Sequence, residues 1–417
     1  MKGSRFISLG ILASLAAAST ASACTVTIGS VMALTGSLGA LGQQIAEGAK
    51  LAVHDINAGG GVNGCTLKMV LYDDQTQPSV GVDAAKKLVS VYHVPVIVGA
   101  LASGITLPIL TSVTAPAGVV LISPASTSPT FTKLAANGTT RGYWFRTVPS
   151  DALQGVAMAQ LAKSKGYKRV AVLYLNNAYG VGLSGQFKNA FTKLGGTVTS
   201  FVSYDPGQSS YTAEVTQAMA NHPDGLFLIG YPGDGTTVAR EWISAGGPQH
   251  FLFPDGLQSQ QFVNDVGPQY LKEVWGTAPG SELTPSLNTF QQEFKAKYGS
   301  YPVQAYMTNA YDAVMTVALA MDAGHGSSGL VVKNNLRKVT GLTGFPVYAG
   351  ASQYHHALSL LAAGKKIYYI GAAGTYTFNR YGDTNAPMVE WTVRGGKVTN
   401  VGQISVATIL GIIKKLQ

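Results

Sequence analysis

Between residues 25 and 255, short apolar runs alternate with helical periodicity, and this rhythm restricts the possible architectures more than any other feature. Strand-like runs are expected at 25–31, 67–72, 95–99 and 119–122 and, after 141–147, at 169–175, 197–203, 225–230 and 250–253. Helical periodicity fills the gaps at 42–57, 79–92, 104–115, 151–165, 180–194, 211–220 and 234–245. Alternation at this spacing predicts an α/β fold with parallel sheets covered by helices on both faces. Two blocks of four strands, divided at Arg146-Thr147-Val148-Pro149, predict two doubly wound lobes. After Trp275 come long helical segments at 284–298 and 303–323, then a β-rich tail at 376–379, 388–394 and 398–404. The apolar closing stretch, 404–416, is shorter than the ~20 residues that span a bilayer and reads as an edge strand or packed tail.

The first residues suggest where such a fold would work. Lys2 and Arg5 precede an apolar stretch, and Ala21-Ser22-Ala23 supplies the small residues of a cleavage site. Residues 1–23 are therefore expected to be a secretory signal peptide, with Cys24 opening the mature chain. Outside the cytoplasm there is no pool of ATP or NAD, and no cofactor is expected. Charged residues make up 12% of the chain, about half the usual share. The net charge of +9 is scattered as singles and short pairs such as Lys86-Lys87 and Lys365-Lys366. Without interleaved aromatics these read as a solvated surface, so no nucleic acid is expected as partner.

The two cysteines, Cys24 and Cys65, each stand just before an apolar run. Consecutive strands of a βαβ unit usually lie side by side and parallel, so their starts share one edge of a sheet. In an oxidising compartment that placement predicts a Cys24–Cys65 disulfide. Lipidation of Cys24 is the alternative, although Ala21 is a poor match to the apolar residue a lipidation signal favours.

Candidate catalytic constellations are few. Gly180, Gly182 and Gly185 follow a strand and open a helix, with Asp205 at the end of the next strand. This approximates the dinucleotide-binding fingerprint and, taken alone, would suggest an NAD-dependent oxidoreductase. Four residues separate the strand from Gly180, however, where that fingerprint needs an immediate turn. Close packing of helix on sheet explains the glycines better. The seven histidines are scattered apart from His355-His356, and no His-Glu-x-x-His, Cys-x-x-Cys or Gly-x-Ser-x-Gly pattern occurs. The pattern points to a binding protein rather than an enzyme.

Open α/β sheets bind ligands outside the C-terminal ends of their strands. In the first lobe those ends carry the loop from Ala33 through Gly36 and Leu41 to Gly42, then Ser103 at the start of a helix, then Pro124-Ala125-Ser126-Thr127. Ser103 and Thr127 at adjacent strand ends, beside helix N-termini, would suit a carboxylate. Singly, each also reads as an ordinary N-cap. In the second lobe Tyr179, Tyr231 and Asp255 follow the first, third and fourth strands. An acid facing a closing cleft could pair with an ammonium, with aromatic rings shielding it from water. Asp255 before Gly256 also fits a plain turn.

Ile28 to Gly36, Gly48 to Ala52, Asp55 to Gly64, Tyr72-Asp73-Asp74, Ile122-Ser123-Pro124, Phe145-Arg146, Tyr179-Gly180 and 371–383 together resemble the leucine/isoleucine/valine-binding protein family, type I periplasmic solute-binding proteins of ABC importers. The resemblance implies two lobes joined by a hinge of three crossovers, with lobe one at 24–147 plus 275–350 and lobe two at 148–274 plus 351–417. It implies a periplasmic monomer that binds a small α-amino acid, branched-chain or otherwise apolar, and delivers it to a membrane permease. The ligand carboxylate would be held at Ser103, Ala125 and Thr127, and its ammonium at Asp255 with Tyr231 close by. Tyr179 matches another aromatic of the cleft. Leu41 stands where well-known members carry an aromatic that touches the ligand side chain. A short amide, urea or an aromatic carboxylate is the alternative ligand on the same scaffold.

Overall fold

The computed structural model describes residues 24–302 and 305–416; the signal peptide expected at 1–23 lies outside them. The first sheet is wholly parallel. It contains β1 (Thr25–Met32), β2 (Thr66–Asp73), β3 (Val96–Gly99), β4 (Val120–Ser123) and β5 (Trp144–Arg146), in the order β2-β1-β3-β4-β5. The second contains β6 (Arg169–Leu175), β7 (Thr197–Tyr204), β8 (Gly225–Ile229), β9 (His250–Phe253) and β10 (Glu273–Pro279). A minor parallel pair follows, β11 (Phe345–Val347) with β12 (Ile367–Tyr369). The chain then returns to the second sheet as β13 (Met388–Arg394) and β14 (Lys397–Ile404), both antiparallel to their neighbours, giving the order β14-β13-β10-β9-β8-β6-β7. Strands such as β4 and β8 are buried along their whole length, so they read as continuous apolar runs rather than alternating ones.

In register, Thr25 pairs with Thr66. That sets Cys24 beside Cys65, and the two are joined by a disulfide with Cα atoms 4.8 Å apart. The helix Gly39–Ala58 covers the first sheet, burying Leu41, Ile45, Ala49, Ala52 and Ile56 at helical spacing. Against it packs Met307–Ala323, buried almost all round. The two backbones approach closely because residue 48 is glycine: a Cβ there would lie 2.3 Å from the Met307 carbonyl oxygen.

Three expectations need correction. The chain does not leave the second lobe at 275, because β10 continues that sheet, parallel to β9. Its rhythm misleads because β10 is followed by a lobe crossing instead of a covering helix. The return to the first lobe begins with Pro285–Tyr298, whose Tyr298 hydroxyl donates to the Glu47 carbonyl at 3.2 Å. The segment after 350 does not go directly to the second lobe either. Ala351–Ala362 packs on Gly39–Ala58 and Met307–Ala323, and only β13 and β14 rejoin the second sheet. Lastly, 376–379 has no strand structure, while of the two readings of 404–416 the packed tail holds, since Val406–Leu416 is a helix resting on Asp151–Ser164. Val406–Leu416 presents one apolar stripe, with Ile409 buried, which an alternating reading overlooks.

The crossings between lobes are bound together. Thr147 Oγ1 donates to the Asn309 carbonyl at 2.8 Å, Gly280 N–H to the Pro387 carbonyl at 2.8 Å, and Arg146 N–H to the Gly382 carbonyl at 3.0 Å. Arg146 itself is fully buried. Its guanidinium meets Asp383 Oδ1 at 2.7 Å through Nη2 and donates through Nη1 to the carbonyls of Ser126, Thr127 and Ser128 at 3.2, 2.7 and 3.0 Å. One side chain thus connects the first crossing, the third crossing and the loop after β4.

Candidate functional site

A small cavity lies between the lobes, and residues from both line it. From the first lobe come Leu38, Leu41, Ile45, Leu101, Ser103 and Ala125; from the second, Tyr179, Tyr231, Asp255 and Gly256; from the returning segment, Tyr306. The aliphatic side chains belong to the loop after β1, the helix Gly39–Ala58 and the loop after β3. They form an apolar wall. Ser103 begins the helix Ser103–Ile109, and its Oγ accepts from the Ser128 N–H at 3.3 Å. Ala125 lies two residues after β4. Its loop is shaped by Ser123 Oγ, which accepts from the N–H groups of Ala125 and Ser126 at 3.3 and 2.9 Å.

Asp255, two residues beyond β9, is the one charged residue among the described residues of the lining, and it is 4% exposed. Its carboxylate accepts from Gln154 Nε2 at 2.6 Å, from the Tyr179 hydroxyl at 2.9 Å and from the Tyr306 hydroxyl. Burial raises its pKa above the ordinary value, against the pull of those three donors. Burial likewise pushes the Tyr179 and Tyr306 hydroxyls far up, so they act as donors and not as anions. Tyr231 stacks on Tyr179, with ring centroids 5.6 Å apart and planes within 9°. Its oxygen accepts from Asn177 Nδ2 at 3.4 Å.

Six of the seven ligand-site residues expected from the sequence line this cavity: Leu41, Ser103, Ala125, Tyr179, Tyr231 and Asp255. Thr127 does not. It is 1% exposed two residues beyond Ala125, and its Oγ1 has no hydrogen-bond partner among the described residues. The plain turn reading of Asp255 accounts for its place before Gly256 but not for three side-chain donors converging on it. Sequence reasoning missed Leu38, Ile45, Leu101 and Gly256, which flank expected positions, and Tyr306. It also missed Gln154, which supports the site from outside the lining. Tyr306 directly precedes the buried helix Met307–Ala323, and nothing in its local pattern separates it from that core.

The lobes meet along the rim of the cavity. Ser37 Oγ donates to Asp234 Oδ2 at 2.9 Å across the cleft. Glycines make the close approach possible. A Cβ on Gly182 would lie 2.8 Å from Pro129 Cδ, and one on Gly233 would lie 3.0 Å from Ser37 Cα. Gly180 serves a different purpose, since a Cβ there would sit 1.9 Å from the Leu175 carbonyl oxygen of the preceding strand. The first amides of this helix are already taken, as Asn177 Oδ1 accepts from Tyr179 and Gly180 N–H at 3.0 and 2.9 Å. The glycine pattern therefore gives no free cradle for a pyrophosphate. Replacing Gly182 with leucine is expected to hold the lobes apart and weaken ligand binding about tenfold, an overpacking cost of about 1–3 kcal/mol. The unliganded melting temperature should not fall, because glycine is a poor helix residue. Calorimetric titration with a parallel melting curve checks both parts.

Two parallel-sheet lobes shut on a small cavity whose polar groups project from strand ends on both sides define a type I solute-binding architecture. The chain belongs to the periplasmic binding protein family, whose profile matches residues 25–363. It is 30% identical over 322 residues to the Leu/Ile/Val-binding protein homolog 3 of Brucella melitensis, covering 76% of this chain and 85% of that one. Among solved structures, the leucine-binding protein LivK of Thermotoga maritima is similar with a TM-score of 0.77 and 26% identity, covering 92% of this chain and 99% of that one. The substrate-binding protein LivJ of Streptococcus pneumoniae, solved with isoleucine, shares the fold at a TM-score of 0.73 and 23% identity, over 91% of this chain and 99% of that one.

Proposed function

We propose that the chain is the extracytoplasmic receptor of an ABC importer and captures an α-amino acid with a branched or otherwise apolar side chain. One observation carries this reading: a single buried acid stands in the lining opposite Ser103 and Ala125, with aliphatic side chains alongside. A zwitterion answers all three features. Its carboxylate goes to the Ser103 hydroxyl and the loop at Ala125, its ammonium to Asp255, and its side chain to Leu38, Leu41, Ile45 and Leu101. The Tyr179–Tyr231 stack excludes water from the ion pair, which strengthens it. A neutral amide or urea would leave Asp255 without a counter-charge, and an aromatic carboxylate would bring a second negative charge toward it. Relatives named as Leu/Ile/Val-binding proteins favour the same class.

Leucine has about nine heavy atoms, for a ceiling near −13 kcal/mol. Micromolar capture requires only about −8 kcal/mol. The receptor works as a periplasmic monomer without a cofactor or a catalytic step, and hands its ligand to a membrane permease. A thermal-shift screen tests the ligand class, because a ligand that binds only the folded state raises the melting temperature. Leucine, isoleucine and valine are expected to raise it by several degrees, and benzoate, acetamide and urea to leave it unchanged. Shifts with the latter group and none with any amino acid would overturn the proposal.

A further inference from the structure

The positive charges of this chain stand in the sequence as singles and short pairs, but they are unevenly shared. Between Asp151 and Asp205 there are six lysines and arginines and no acid, and after Glu390 there are four more and no acid. These ten exceed the net charge of the whole chain, +9, so the excess resides in two segments. Among the described residues none of the ten takes part in a salt bridge.

The fold brings the two segments to one place. Lys163 Nζ donates to the Leu194 carbonyl at 2.9 Å, beside Lys193. Lys193 Nζ donates in turn to the Leu416 carbonyl at 2.5 Å, beside Lys415. Arg169 pairs with Thr197 in the register of β6 and β7, so Lys168 and Arg169 adjoin the same helix end. The last turns of Asp151–Ser164, Ala178–Lys193 and Val406–Leu416 thus meet the start of β6, and these cations are all exposed. They occupy the edge of the second sheet where its parallel strands begin, opposite the edge that carries Tyr179, Tyr231 and Asp255. Asp224 and Glu273 share that edge but are engaged. Asp224 Oδ2 accepts from the N–H groups of Lys168 and Arg169, both at 3.0 Å, and Glu273 lies 3.4 Å from His250.

Helix C-termini favour cations, which accounts for a lysine in each last turn. That does not account for Lys168 and Arg169 at a strand start, nor for the lack of acids across both segments. Nor does it account for Leu410, 45% exposed on Val406–Leu416 one turn from Lys414. An anionic bilayer answers all three, since it offers negative headgroups to the cations and an acyl boundary to the leucine. We propose that this end of the second lobe rests on an anionic phospholipid surface, with Val406–Leu416 as the contact helix. The contact lies at the far edge of the sheet from the cavity and leaves ligand capture unobstructed. It holds whichever ligand the cavity takes.

The test is co-sedimentation of the full mature chain with vesicles of phosphatidylcholine, alone or with about 30% phosphatidylglycerol. At low ionic strength the anionic vesicles should carry down at least about fivefold more protein than the neutral ones. Salt at about 0.5 M should release it, because screening shortens the reach of each charge. The triple variant Lys168→Gln, Lys414→Gln, Lys415→Gln spares the helix-end bonds of Lys163 and Lys193 and does not touch the cavity. It should bind anionic vesicles at least about tenfold more weakly, with melting temperature and leucine affinity unchanged. Equal binding to both vesicle types, binding indifferent to salt, or full binding by the triple variant would each overturn the inference. So would retention on poly-L-glutamate with none on anionic vesicles, which would assign the surface to an acidic protein instead. If the triple variant does not fold, the lipid and salt comparisons on the wild type decide. Leucine titration of the same sample reports on the amino-acid reading separately.

Discussion

Asp255→Ala is expected to weaken leucine binding at least a hundredfold, because the ligand ammonium would be buried without its counter-charge, at a cost of about 3–5 kcal/mol. The loss has a second source. Tyr179, Tyr306 and Gln154 all direct donors at this carboxylate, and alanine removes that acceptor from all three, leaving only Gln154 a second one in the Thr277 carbonyl. Asp255→Asn separates the two contributions: the amide oxygen keeps part of the hydrogen bonding and the charge is gone. If the ion pair dominates, asparagine should recover little of the affinity. Isothermal titration of both variants decides this, and a loss of less than tenfold for alanine would remove Asp255 from the ammonium role.

The other large effect is expected from a residue that does not line the cavity. Arg146→Met should destabilise the protein by about 3–5 kcal/mol, the usual result of removing one partner from a buried pair. Asp383 would keep its charge in a buried setting, and the carbonyls of Ser126, Thr127 and Ser128 would lose a shared donor. A fall in melting temperature on the order of 5–10 °C follows. Arg146→Lys should not restore stability, because an ammonium cannot reproduce a planar fork that reaches a carboxylate and three carbonyls together. Since those carbonyls belong to the loop carrying Ala125, leucine affinity should fall as well. Thermal melting and titration of the two variants measure both effects.

Much of the fold and most of the cavity lining were legible in the sequence, for a physical reason. In a parallel sheet the strand, the loop at its C-terminal end and the covering helix are contiguous in sequence. A residue such as Ser103, Ala125, Tyr231 or Asp255 therefore reveals its place by following a strand. Legibility stopped where contiguity stopped. Tyr306 reaches the cavity through the returning segment and looks locally like the start of a core helix. Gln154 lies on a helix that reads as an ordinary cover, and only packing against residues about a hundred positions away brings it to Asp255. The same limit applies to Phe145-Arg146 and 371–383. Both stood out as segments resembling a family, but nothing in either shows that Arg146 and Asp383 meet. The boundary at β10 was missed because a strand that ends in a lobe crossing lacks the following helix that marks the others.

The most direct test is a comparison of L-leucine with its N-acetyl derivative and its methyl ester by isothermal titration against the same protein. If the Ser103 hydroxyl and the loop at Ala125 hold a carboxylate on one lobe while a buried aspartate of the other holds an ammonium, leucine should bind at about micromolar Kd. Each derivative should then bind at least a hundredfold more weakly. N-acetyl-leucine binding as tightly as leucine would contradict it.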